Sequence, residues 1–96
     1  MIRKDRDDPG ICVEFKRPTR LSYNAIRKNI RKAAFQLDSE GGGEVVIDGR
    51  DIGLTEAVAR KYYSDAVTEA SRKSEPQPHA VHFILGNGSM LTIQRA

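Results

Sequence analysis

The chain has 96 residues, 39% of them hydrophobic and 30% charged, which suits one folded core and excludes a disordered composition. Its single cysteine, Cys12, excludes an internal disulfide and a cysteine-built zinc site, and no apolar run approaches the roughly 20 residues of a membrane span. The formal charge of +3 is unevenly spread: residues 11–32 set seven basic side chains against Glu14 alone, and residues 33–96 set six basic against nine acidic, so an anionic partner is expected on one side only.

Residues 1–10 read as a flexible tail, charged and ending in Pro9-Gly10, with no signal-like apolar core. Residues 11–96 read as a single domain. Residues 11–17 alternate, with Ile11, Val13 and Phe15 on one side and Cys12, Glu14 and Lys16 on the other, which predicts a strand. Its apolar side is expected to face the core. Pro18 stops it, and Ser22 is placed to cap a helix. Tyr23, Ile26, Ile30, Ala33, Ala34 and Leu37 recur at helical spacing, and the helix should end near Gln36–Asp38. Arg27, Lys28, Arg31 and Lys32 lie mainly off that apolar stripe, while Phe15, Tyr23 and Phe35 are expected in the core.

Gly41-Gly42-Gly43 leads into a short apolar run, EVVID at 44–48. Strand, helix and strand make a βαβ unit with parallel strands and a right-handed crossover. Thr55 caps a second helix to about Ser71, with Val58, Tyr62, Ala66, Val67 and Ala70 as its inner face. Residues 79–85 and 89–94 flank Gly86-Asn87-Gly88, a hairpin signal because Asn and Gly tolerate positive φ. The expected fold is therefore α/β: a small mixed sheet in the order β-α-β-α-β-β, with a parallel βαβ unit, a further helix and a C-terminal hairpin.

Glu14 and Lys16 are two residues apart on a strand and share a side, with α-carbons about 6.6 Å apart. A carboxylate there can hold a divalent cation while an ammonium serves the same reaction centre; oxygen ligands favour magnesium or manganese. A solvated surface pair is the plain alternative. Arg17, Arg20, Arg27, Lys28 and Arg31 are the candidate phosphate contacts. His79 and His82 fall on opposite sides of one strand and cannot chelate together. Asp48 and Arg50 follow the second parallel strand, either as a loop ion pair or with Arg50 on a phosphate.

The stretch VEFKRPT…YNAIRKNIRKAAFQLD…EVVIDGR resembles the PD-(D/E)XK nuclease superfamily, and within it the C-terminal tRNA-cleaving toxin domains of contact-dependent inhibition proteins. The matching residues are Glu14, Lys16, Pro18, Ile26, Asn29, Ile30, Lys32, Ala33, Gln36 and Val46-Ile47-Asp48. The resemblance implies a metal-dependent ribonuclease acting on RNA, with tRNA as the target. Glu14 would be a metal ligand and Lys16 the catalytic lysine. It also implies an acidic immunity protein as partner and action in the cytoplasm of a target cell. The family's aspartate from an earlier strand has no clear counterpart here; Asp8, or Asp7, would have to stand in. The other reading is a non-catalytic module of the same fold that binds nucleic acid or protein. A strand left with an open edge also makes homodimerisation an expectation.

Overall fold

The computed structural model describes residues 12–95. Six elements follow in the expected order: β1 (Val13–Lys16), α1 (Tyr23–Asp38), β2 (Glu44–Asp48), α2 (Glu56–Arg72), β3 (Ala80–Ile84) and β4 (Met90–Gln94). The sheet runs β1-β2-β3-β4. The first three strands are parallel, and β3 and β4 form the antiparallel hairpin. The expected tail lies outside the described residues.

Both helices begin where the sequence places a cap. Ser22 accepts a hydrogen bond from the Ala25 amide at 3.1 Å and Thr55 from the Val58 amide at 3.3 Å. The buried residues of α1 are Ile26, Ile30, Ala33, Ala34 and Leu37, the stripe read from its spacing except for Tyr23, which is only half-buried and turns its hydroxyl to Glu69. Of these, Ile26, Ile30, Ala33 and Leu37 join Ala59 and Ala66 of α2, Val45 and Ile47 of β2, Val81 and Phe83 of β3, and Leu91 of β4 in one cluster. The helices thus cover one side of the sheet. At the turn from α1 into β2, Gly43 is required by close approach, since a Cβ there would clash with the Cys12 carbonyl oxygen.

The hairpin differs in detail from its expected form. The Gly88 amide bonds the Leu85 carbonyl and the Leu85 amide bonds the Ser89 carbonyl. Gly88 has φ 87°, whereas Asn87 has no positive φ. A three-residue loop with a glycine bulge has this pattern. The Asn87 side chain accepts from the Ser89 amide and hydroxyl instead.

One expectation is inverted. The alternation of β1 is present, but Cys12 and Glu14 are buried while Phe15 is 48% exposed. Glu14 pairs with Val45 and Lys16 with Ile47, both core residues under the helices. Paired residues in a sheet share a side, so β2 dictates which side of β1 is covered. Val13 and Phe15 go to the uncovered side. Phe35 is also outside the core, at 44% exposure.

Phe83 is fully buried at the centre of the cluster. Phe83→Ala is expected to lower unfolding free energy by about 3–5 kcal/mol, measured as a fall in the urea midpoint with little change in slope.

Candidate functional site

β1 brings Glu14 and Lys16 together as their spacing implies. The Lys16 ammonium lies 3.1 Å from Glu14 Oε1, with the two side chains 16% and 6% exposed. The second carboxylate oxygen, Oε2, is buried and accepts no hydrogen bond among the described residues. The pair sits on the helix-covered side, so this is a largely desolvated ion pair rather than a solvated surface one. Asp8 lies outside the described residues, as does Asp7. Among the described residues, no group of three or more His, Cys, Asp or Glu side chains is placed to hold a metal ion.

The C-terminal ends of β1 and β2 carry two further arginine–carboxylate pairs. Arg17 reaches Asp51, with its Nη2 at 2.6 Å and its Nε at 2.8 Å from one oxygen. Arg50 grips Asp48 with Nε on one oxygen at 3.0 Å and Nη2 on the other at 2.8 Å. The Arg50 amide adds a third bond to the same carboxylate at 3.1 Å. These bonds, the side-chain ones foremost, lower the Asp48 pKa from 3.8 to about 2 against the opposing effect of burial. The ion-pair alternative for Arg50 is the one observed.

The basic residues of α1 divide into two sets. Arg27 lies 3.4 Å from Glu69 of α2, and Arg31 pairs with Glu75 at 2.7 Å. Glu69 also bonds Lys73 and the Tyr23 hydroxyl, each at 2.9 Å, and its pKa is lowered, chiefly by Lys73 and then Tyr23. Arg31 likewise lowers the Glu75 pKa. By contrast, Arg20, Lys28 and Lys32 are exposed and have no ion-pair partner among the described residues. Of the five candidate phosphate contacts, Arg17, Arg27 and Arg31 are thus already engaged by carboxylates, and Arg20 and Lys28 are not.

A polar row on the uncovered side of the sheet escaped the sequence reading. His82 Nε2 lies 2.5 Å from Glu44 Oε1, and Nδ1 lies 2.8 Å from the Thr92 hydroxyl. The residues come from β2, β3 and β4, opposed by register as Glu44↔Ala80 and His82↔Thr92. Nothing in the local sequence signals a trio 10 and 38 residues apart; only strand pairing does.

No helix among the described residues is long and apolar enough to cross a membrane. No protein-family model matches the chain, and neither curated proteins nor solved structures yield a match.

Asp48 has a testable consequence. Its carboxyl is more acidic folded, at about 2, than at its ordinary 3.8. The unfolded chain therefore takes up that proton first as pH falls. The contribution is intact above about pH 4 and is lost as pH drops through about 2. Asp48→Asn is expected to remove this part of the acid limb in urea midpoints measured from pH 5 to pH 2, roughly the window that the two values bracket.

Proposed function

We propose that the domain is a metal-dependent endoribonuclease unit of toxin type, hydrolysing phosphodiester bonds in RNA, with tRNA as the expected target. The observation that supports it best is the half-engaged carboxylate of Glu14. Lys16 holds one oxygen at 3.1 Å, and the buried Oε2 has no hydrogen-bond donor among the described residues. Leaving such an atom unpaired costs roughly 1–3 kcal/mol or more, so it is a place to look for a function. A buried, anionic oxygen fits a hard divalent cation such as magnesium or manganese. Glu14 would hold it, with Asp8 as the second expected ligand.

Such a cation, when bound, supplies Lewis-acid polarisation of a phosphate oxygen and a water of lowered pKa. Lys16 fixes the rotamer of Glu14 through their ion pair. Its ammonium would also stabilise negative charge developing on a phosphate beside it. The unengaged cations Arg20 and Lys28 would hold the RNA backbone, whose recognition would rest on charge and shape. An acidic immunity-type partner and action in the cytoplasm of a target cell belong to the same proposal. So does pairing of a second copy along β1, which has β2 as its one neighbour among the described strands.

The burial of Glu14, with 6% of its side chain exposed, favours a second reading: a non-catalytic module of this fold that binds nucleic acid or protein. Incubating the protein with bulk tRNA, in magnesium and in EDTA, separates the two. Cleavage is expected in magnesium alone, and Glu14→Gln and Lys16→Ala should each reduce it at least about 100-fold, with circular dichroism reporting an intact fold. Because Lys16→Ala strands a buried carboxylate, the paired variant Glu14→Gln/Lys16→Met serves as a folded control. Equal cleavage by wild type and all variants would sink the assignment; salt-sensitive binding without cleavage would leave the module.

A further inference from the structure

The exposed side of α1 combines free positive charge with an aromatic ring that the core does not use. Lys28, Arg31, Lys32 and Phe35 fall at spacings of three and four residues, so they form one stripe along the helix. With Arg27 and Gln36 they form one open patch on the outer side of α1. Phe35 is 44% exposed. The Arg31 guanidinium lies over its ring, 4.8 Å from the centroid, and is itself tied to Glu75 by bonds of 2.7 and 2.9 Å. The ring is therefore braced by a cation that a carboxylate of the loop after α2 holds in place, a preorganised surface rather than a free side chain.

We infer that Phe35 is a base-stacking platform, flanked by Lys28 and Lys32 as phosphate contacts, for an unpaired stretch of RNA. This rests on the nucleic-acid-binding part of the proposed function and specifies its substrate: a loop or single-stranded end rather than a duplex. Residues 28 and 35 are about 10 Å apart along the helix axis, close enough for one strand to set a phosphate by the lysines and a base on the ring. Charge complementarity selects the occupant. An apolar protein surface covering Phe35 would also bury Lys28 and Lys32, which have no carboxylate partner among the described residues, and unpaired buried cations are costly. A single strand offers anions and flat π-faces in alternation, the two chemistries this stripe can take. In a duplex the bases are stacked on one another and the ring has nothing to receive.

The test measures binding in EDTA, where the outcome does not depend on cleavage, using the whole chain and fluorescent oligouridylate of about 12 nucleotides. An RNA duplex of the same length is the control. Wild type should prefer the single strand. Phe35→Leu should weaken oligouridylate binding about tenfold while leaving the duplex and the urea midpoint unchanged, and Phe35→Tyr should restore it. Lys28→Ala/Lys32→Ala should weaken both ligands and lower the single-strand salt slope by about 1.4. Oligothymidylate bound with the same dependence on Phe35 would also support the platform and extend it to single strands of either sugar. The inference is overturned if Phe35→Leu binds oligouridylate as wild type does, if Phe35→Leu weakens single strand and duplex alike, or if only the lysine variant matters, as for an acidic protein site. Cleavage without this binding would remove the platform alone, and binding without cleavage would remove the nuclease reading alone.

Discussion

The pairing of β1 with β2 is the constraint on which the candidate site depends. Val45 and Ile47 must face the helices because they are the centre of the core. The register sets Glu14 beside Val45 and Lys16 beside Ile47, so a carboxylate and an ammonium are carried to the covered side. Each would be expensive there alone. Together they satisfy one another on one oxygen only, and desolvation of a buried pair commonly cancels most of its Coulombic gain. The pair is thus a weak source of stability.

A second balance operates between the helices. Glu69 and Glu75 draw Arg27 and Arg31 against α2 and the loop after it, and the Tyr23 hydroxyl joins them through Glu69. Much of the positive charge concentrated in α1 is therefore spent on holding the two helices in register. What remains for a partner is narrower than the count of basic residues suggests: Lys28 and Lys32 on the outer stripe, with Arg20 ahead of the helix. Because Arg31 also braces Phe35, the same ion pair that joins the elements shapes the exposed surface. One guanidinium thus serves both the packing between elements and the shape of the outer side of α1.

The fold was largely legible because its signals are local. Caps at Ser22 and Thr55, the spacing of Ile26, Ile30, Ala33 and Leu37, and Asn87-Gly88 all act within a few residues. The sharing of one side by Glu14 and Lys16 was legible for the same reason, being a property of a pleated strand. Which side would be covered was not. It depends on β2, and the apolar residues Val13 and Phe15 argued for the wrong answer. Phe35 misled similarly, because hydrophobicity alone does not exclude an exposed position. The ion pairs that engage Arg17, Arg27 and Arg31 join residues 34 to 44 positions apart, beyond anything local pattern encodes.

The uncovered side of the sheet shows why misplaced apolar residues are tolerated there. Phe15 and Met90 are exposed at its two outer strands, and a continuous apolar surface between them would invite association. The Glu44–His82–Thr92 row crosses β2, β3 and β4 between them, held by bonds of 2.5 and 2.8 Å. Its members satisfy each other's polar atoms while remaining partly wet, so the row interrupts the apolar surface at little desolvation cost. That arrangement lets β1 turn its charged side inward without making the opposite side a hydrophobic interface.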